Sequence, residues 1–426
     1  MENYDSSIKP KGLKTTPSFY ISIFAVSLMV LFLRNPAAFI HPQFWAEDGK
    51  VWYAEAYNQG PVLTLFKYHI DYFQTISRMA ASLAQAVPLA LAPLVFILVS
   101  AVIQALPVLF LFSKRFEKLM PNFYVKILLA AIYLLLPNTA EARISLTYAQ
   151  WFLAILACMI IFGDAAKNLK QKIFDFAVLV LAGLSGPYII FLSPIAFLQW
   201  LKFKDKWRLV LFAVAVCCSF IQIAFIALLS HGGRVYPQLG VNLRLFFAIL
   251  NRQVFVAAII GQRGYLWVAG HVAWQLWLFA ATTILGLLLT AYALWKAGFE
   301  QKLFIIFGLL IFCASLFSPS VSDFSKPAWK VLYLANTGIR YWLIPMLAFV
   351  TILFFNAKKG TPIFLRSASI LLLATMIIGI VADFNQNIYV DMHFSQYVQT
   401  FKTAPDGAKI TIPINPPGWS MELIKH

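Results

Sequence analysis

An apolar stretch that crosses a bilayer as a helix needs roughly 17–25 residues, fewer where neighbouring helices bury it. This chain repeats such a stretch about eleven times, at 17–33, 89–112, 123–136, 150–162, 174–184, 189–201, 209–229, 272–295, 303–317, 340–355 and 365–381. In hydrocarbon each backbone must satisfy its own polar groups, which a lone segment does only as a helix. The expected fold is therefore an all-α polytopic membrane protein. Composition agrees, with 61% hydrophobic and 12% charged residues and a mean hydropathy of +0.76, against about 25% charged residues in soluble domains. A shorter apolar stretch, Ser77–Val87, reads as an interfacial helix leading into the second span.

The basic residues report topology. Lys9, Lys11 and Lys14 precede the first span, and Lys114, Arg115 and Lys118 follow the second. Lys167, Lys170 and Lys172, then Lys202, Lys204, Lys206 and Arg208, then Lys296 and Lys302, then Lys358 and Lys359 complete the series. Every second loop is short and basic, as the cytoplasmic side requires, so the N-terminus is expected inside. The first helix has no small-residue cleavage site after it and reads as retained. The net charge of +17 is dispersed between spans, which is not the clustered basic face of a nucleic-acid-binding protein. The opposite side receives the long loops 34–76, 137–149, 230–271 and 318–339 and the C-terminal tail. Residues 1–383 read as the membrane unit and 384–426 as a small external segment, in which Lys409–Trp419 reads as a strand and turn capping the outer face.

The four cysteines (Cys158, Cys217, Cys218, Cys313) lie in apolar runs and are expected to be free, buried thiols without redox or metal roles. No Gly-rich nucleotide loop occurs. Chemistry, if present, belongs to the outer loops. There Phe44-Trp45-Ala46-Glu47-Asp48-Gly49 places two adjacent carboxylates just past the first span. Such a pair is costly at a membrane surface, and a carboxylate within reach of an acceptor hydroxyl can act as a general base. The bland alternative is an N-cap for the following helix, which needs only one acid. Trp45, Trp52, Tyr53 and Tyr57 suit a helix lying in the headgroup region. Arg234, Arg244, Arg252 and Arg263 fall in a loop without acids, and Arg340 opens a span at its outer end. With Arg78 they are candidates to meet an anionic ligand, lipid contact and snorkelling being the alternatives. His69 and Asp71 could join Glu47 and Asp48 around a divalent metal, but no ligand spacing supports this, and an acceptor-binding or structural role is favoured. Trp151 reads first as an interface anchor and second as a sugar-stacking ring.

An acidic pair in the first external loop of a multispan chain resembles the GT-C superfamily of glycosyltransferases. Glu141 with Gln150-Trp151, Ser185-Gly186-Pro187, Gly338-Ile339-Arg340-Tyr341 and Asn415-Pro416-Pro417-Gly418-Trp419 add to the resemblance. The set is similar to bacterial O-antigen glucosyltransferases of the serotype-converting kind. The resemblance implies transfer of a hexose, glucose foremost, from a polyprenyl-phosphate carrier to a surface polysaccharide at the periplasmic face of the inner membrane. It further implies a catalytic role for Asp48 or Glu47, in an order the sequence leaves open. Arg340, Arg263, Arg234, Arg252 and Arg78 become candidates for the donor phosphate. His69, Asp71, Glu141, Trp151 and Tyr341 become candidates for the acceptor or sugar. No metal or other cofactor is expected on the same ground. A lipid-linked oligosaccharide flippase and an O-antigen polymerase are the competing readings. The first usually shows repeated halves and charges near the membrane midplane, and the second has no evident need of the acidic pair.

Overall fold

The computed structural model describes residues 16–69, 72–229, 238–271, 275–321, 325–385 and 388–426. Its principal helices are α1 (Pro17–Arg34), α2 (Thr75–Ala84), α3 (Ala92–Leu111), α4 (Phe123–Leu135), α5 (Ala140–Ile144), α6 (Ala149–Phe162), α7 (Leu169–Gly183), α8 (Tyr188–Phe203), α9 (Lys206–Leu229), α10 (Leu243–Ile249), α11 (Ala257–His271), α12 (Gln275–Lys296), α13 (Phe299–Phe317), α14 (Ala328–Tyr333), α15 (Ile339–Asn356), α16 (Ile363–Ala382) and α17 (Phe394–Thr403). The tail closes with an antiparallel hairpin of β1 (Lys409–Ile414) and β2 (Trp419–Ile424), Ile412 facing Met421. Among the described residues eight helices are long and apolar enough to cross a membrane, joined by three shorter apolar ones. This is an all-α multi-pass membrane architecture, and the described part of every stretch read as a span is predominantly helical.

Helix starts follow local chemistry. Thr16 caps α1 through the Phe19 amide ahead of Pro17, and Asn122, Asn168 and Asn242 cap α4, α7 and α10. Arg34 then gathers one end of the bundle. Its guanidinium donates to the carbonyls of Leu134 (2.6 Å), Leu136 (3.2 Å), Asp383 (3.3 Å) and Phe384 (3.4 Å), joining the C-terminal ends of α1, α4 and α16. The far end carries the short basic loops. There Arg208 donates to the carbonyls of Ile161 and Gly163, both at 2.7 Å, and Lys202 pairs with Glu300 at 2.6 Å. Arg115 makes a two-pronged pair with Asp175 at 2.6 and 2.8 Å. Asp175 sits within α7 and is fully buried, so the pair holds a charged span residue. The partner comes from a loop 60 positions away, a contact that sequence neighbourhood does not show.

A second correction concerns 230–271, read above as a large external loop. Its described part from Leu243 to His271 is helical. Phe255 packs on Phe349, ring centroids 4.8 Å apart, and against Gly286, at the middles of α15 and α12. Yet α10 packs on α14, and the Gln262 and Arg263 amides donate to Asp383 at the end of α16. The Leu243 end and the Gly261 bend thus both lie toward the Arg34 end of the bundle, with Phe255 between them packed against helix middles. Gly261 makes the bend with φ +69°, and a Cβ there would lie 2.4 Å from Asp383 Oδ2. Three arginines interrupt the apolar run and hide the helix from a hydropathy reading.

Gly379 of α16 approaches this segment so closely that a Cβ would stand 2.1 Å from the Ile259 carbonyl oxygen. Gly379→Ala is expected to destabilise the protein by about 1–3 kcal/mol, read as a lower thermal midpoint in lipid. An unchanged midpoint would contradict the close approach. Of the cysteines, Cys158 and Cys218 are buried free thiols as expected, but Cys217 and Cys313 are exposed, on helix faces that neighbouring helices leave open.

Candidate active site

The acidic motif is shaped from both sides in sequence. Ala46 adopts a left-handed backbone (φ +44°), a conformation that costs an alanine of order 1–3 kcal/mol and needs its surroundings to hold it. Asn415 supplies the hold. Its carbonyl accepts from Ala46 N at 2.5 Å, and its own N–H donates to the Phe44 carbonyl at 3.1 Å. The Asn415 side chain is anchored on Val390, accepting from its N–H and donating to its carbonyl, both at 2.9 Å. From Asp48 to Tyr53 the chain winds as a π-helix, a form that often marks functional positions. At Gly49 a Cβ would fall 2.7 Å from Phe44 Cβ and 3.0 Å from the Ile414 side chain, so the hairpin sits directly on the motif. Lys50 lies 5.2 Å over the Trp419 ring. Three of the four aromatic residues assigned above to the headgroup region are therefore core, Trp52 and Tyr53 fully buried and Trp45 nearly so, while Tyr57 is half-buried. Cover from distant segments, invisible in the loop's own sequence, is the reason: Tyr389 and Asn415 beside Trp45, and Arg78 and Thr147 beside Trp52. Asn415→Ala removes the acceptor of the Val390 N–H and leaves its carbonyl with Gln43 Nε2 (3.3 Å), and is expected to destabilise by roughly 1–3 kcal/mol, measured as a fall in thermal midpoint; no fall would mean the anchor is dispensable.

The two carboxylates have different surroundings. Asp48 is 3% exposed and accepts three hydrogen bonds, from Leu146 N (2.9 Å), Thr147 N (3.0 Å) and Thr147 Oγ1 (2.8 Å). Burial pushes its carboxyl up to about 7, against the downward pull of those bonds. Its lone pairs are committed to the turn that opens α6. Trp52 Nε1 also donates to Thr147 Oγ1, at 2.8 Å. Glu47 is part-exposed, and its Oε2 is buried without a hydrogen-bond partner among the described residues. Burial raises its carboxyl, opposed by its own backbone N–H and then by Arg340. Asp48 ties the loop to the turn before α6, and of the two acids only Glu47 keeps a buried carboxylate oxygen without a hydrogen-bond partner among the described residues.

Beside Glu47 stands an ion pair built from two distant segments. Arg340, at the start of α15, pairs with Glu141 of α5. Its other nitrogen donates to the Ser320 carbonyl at 3.0 Å, and the guanidinium lies over Tyr341 (4.7 Å) and Tyr148 (5.4 Å). Tyr148 Oη donates to Glu141 at 3.2 Å. Trp151 meets Tyr188 at 5.1 Å, Tyr148 at 5.7 Å and Tyr341 at 6.4 Å. Its indole N–H is buried with no acceptor among the described residues. Trp151 is 4% exposed, so it is a wall of this cluster rather than an interface anchor. A free carboxylate oxygen, a fixed guanidinium and an unpaired indole N–H thus share one aromatic-walled site.

The structure brings Glu47, Asp48, Glu141, Trp151, Arg340 and Tyr341 together. Elsewhere, Arg78 is buried against Glu55 (2.8 Å) and over Trp52 (4.7 Å), its Nε and one Nη without partners among the described residues. His69 packs edge-on to the same Trp52 at 5.1 Å, and burial lowers it to about 4, leaving it neutral at ordinary pH. Arg252 donates to the Tyr333 carbonyl at 2.6 Å and stacks on Tyr265. Arg263 caps α16 through the carbonyls of Ala382 (3.0 Å) and Asn385 (3.3 Å). Asp71 and Arg234 lie outside the described residues. Among the described residues, no three His, Cys, Asp or Glu side chains assemble as metal ligands. Sequence reasoning did not single out Thr147, Tyr148 or Tyr188. Their signal was proximity to named motifs, Tyr148 three residues before Trp151 and Tyr188 directly after Ser185-Gly186-Pro187.

Fold and site together define a multi-pass membrane protein with a carboxylate–guanidinium site at one end of its helix bundle. No family model matches the chain, and no curated protein matches it. Among solved structures it is similar to the crystal structure of an Archaeoglobus fulgidus oligosaccharyltransferase in complex with Zn and sulfate. The identity is 13% and the TM-score 0.41, over 90% of this chain and 56% of that one. The chain thus spans little more than half the length of that protein.

Proposed function

We propose that this chain is an inverting glycosyltransferase with Glu47 as its general base. In this reading the acceptor hydroxyl gives its proton to Glu47 as its oxygen bonds to the anomeric carbon of the donor. The bond from that carbon to the phosphate oxygen breaks, and the phosphate leaves with the electron pair. Arg340 stabilises the charge gathering on the leaving phosphate. Glu141 holds the guanidinium in place, and Trp151, Tyr148 and Tyr341 offer flat faces and polar edges to sugar rings. The observation that carries the reading is the buried, unpartnered Glu47 oxygen next to a fixed arginine.

The substrates proposed are a polyprenyl-phosphate hexose, glucose foremost, and a surface polysaccharide such as O-antigen. The site would face the periplasm across the bacterial inner membrane, with the basic loops and the N-terminus cytoplasmic. Alternation of basic loops supports this orientation. The test is transfer from a radiolabelled polyprenyl-phosphate hexose to O-antigen by the purified protein in lipid. Labelled product is the expected result; absence of product across hexose donors would count against the proposal and favour a flippase or polymerase. Arg340→Ala is expected to reduce turnover by roughly 10²-fold and to weaken use of donor more than of acceptor. A change confined to acceptor dependence would remove Arg340 from the phosphate.

A further inference from the structure

A cavity of about 880 Å³ lies between the 243–271 segment, α12, α15 and α16, within the roughly 300–1,000 Å³ of clefts that take whole ligands. Its deep wall is apolar, formed by Phe255, Ile259, Leu285 and Phe349. Its rim carries Arg244 and Lys330. Both are exposed, and neither has an ion-pair partner among the described residues. Arg252, 7% exposed, stacks on the rim residues Tyr265 and Tyr333, and its Nε has no hydrogen-bond partner among the described residues. No lining residue is acidic.

This cavity is separate from the carboxylate site. Glu47, Glu141, Tyr148, Trp151 and Arg340 do not line it. The lining residue of α15, Phe349, lies nine positions beyond Arg340, half a turn round the helix and about 13 Å further along it. The depth of the cavity follows from its walls. Arg244 and Lys330 belong to α10 and α14, at the Arg34 end of the bundle. Gly286, Phe349 and Thr375 belong to helix middles. The lining residue Leu276 is 69% exposed, and α12 and α16 bury only 22% and 17% of their apolar windows inside the protein, so the cavity reaches the lipid-facing side.

We propose that the cavity holds one anionic glycerophospholipid drawn from the bilayer, its acyl chains along Phe255 and Phe349 and its phosphate between Arg244 and Lys330. An apolar chamber entered from the bilayer selects an amphiphile, and a cationic rim without carboxylates selects a negative headgroup. The rim holds charge but offers no base, which separates its role from that of Glu47.

The test uses the full chain, purified in detergent and incubated with mixed micelles of equal phosphatidylglycerol and phosphatidylcholine, then read by native mass spectrometry. One retained phosphatidylglycerol, favoured over phosphatidylcholine by roughly tenfold, is the expected result. Arg244→Gln combined with Lys330→Gln should abolish the preference. Thr375→Trp, which fills the cavity from the lipid-facing helix, should reduce retention of both lipids with the lipid-free thermal midpoint unchanged. Equal retention of the two lipids by the wild type, or a preference that survives in the double variant, would overturn the proposal. So would displacement of phosphatidylglycerol by an equal concentration of a short polyprenyl phosphate, which would assign the cavity to an isoprenoid carrier.

Discussion

Glu47→Gln lowers kcat by between roughly 10² and 10⁴-fold, the usual contribution of a positioned general base, while the protein stays folded. The amide keeps the shape and hydrogen-bonding reach of the side chain but cannot take a proton. Its cost to folding is small, because Glu47 Oε2 has no described partner to lose. Donor KM should stay close to that of the wild type, since the phosphate contact belongs to Arg340. A pH dependence accompanies this. The base must be ionised, and burial raises the Glu47 carboxyl above its ordinary 4.5. Turnover in the wild type therefore falls as pH drops through a midpoint above that of a solvated glutamate. Measuring kcat from pH 5 to 8 checks this, and a flat profile would remove the base from the rate-limiting step.

Asp48→Ala gives the second large effect, on stability. It strands the buried amide of Leu146 and takes the acceptor of the Thr147 hydroxyl, each at roughly 1–3 kcal/mol, while the Thr147 amide keeps Ser145 Oγ at 3.2 Å, for a loss of about 2–6 kcal/mol in all. The turn before α6 then loses its tie to the first loop. Chemical denaturation in lipid–detergent mixtures measures this, and a loss under 1 kcal/mol would mean the three hydrogen bonds contribute little. The sign of the pH effect follows from the raised carboxyl. Unfolded, Asp48 titrates near 3.8; folded, near 7. The folded state therefore holds the proton more tightly between those values. The contribution is full below pH 3.8 and is lost as pH rises through about 7. Glu47, also raised, adds in the same direction. Asp48→Asn should flatten part of that slope in thermal midpoint between pH 5 and 8.

The helices were legible because long apolar runs bounded by Lys and Arg admit few other structures in a membrane. The stretch from Leu243 to His271 was not, because Arg244, Arg252 and Arg263 break its apolar run. In the fold Arg252 and Arg263 donate to carbonyls of Tyr333, Ala382 and Asn385, partners that no local pattern identifies. The candidate site divides in the same way. Glu47 and Asp48 stood out as a pair, and Glu141, Trp151, Arg340 and Tyr341 were each named. Which acid is free depends on Leu146 and Thr147, nearly one hundred residues away. The pairing of Arg340 with Glu141 spans 199 positions. The covering of the motif by Asn415 likewise arises only once the tail folds back. Residue type named the candidates; contacts between distant segments set their surroundings.

The most direct measurement compares hexose transfer from a radiolabelled polyprenyl-phosphate donor by wild type, Glu47→Gln and Asp48→Asn protein in the same lipid. If Glu47 is the base and Asp48 the lock, Glu47→Gln is inactive with a wild-type thermal midpoint. Asp48→Asn then keeps measurable transfer at a lowered midpoint. Transfer that survives in Glu47→Gln and disappears in Asp48→Asn would contradict the account and return the base to Asp48.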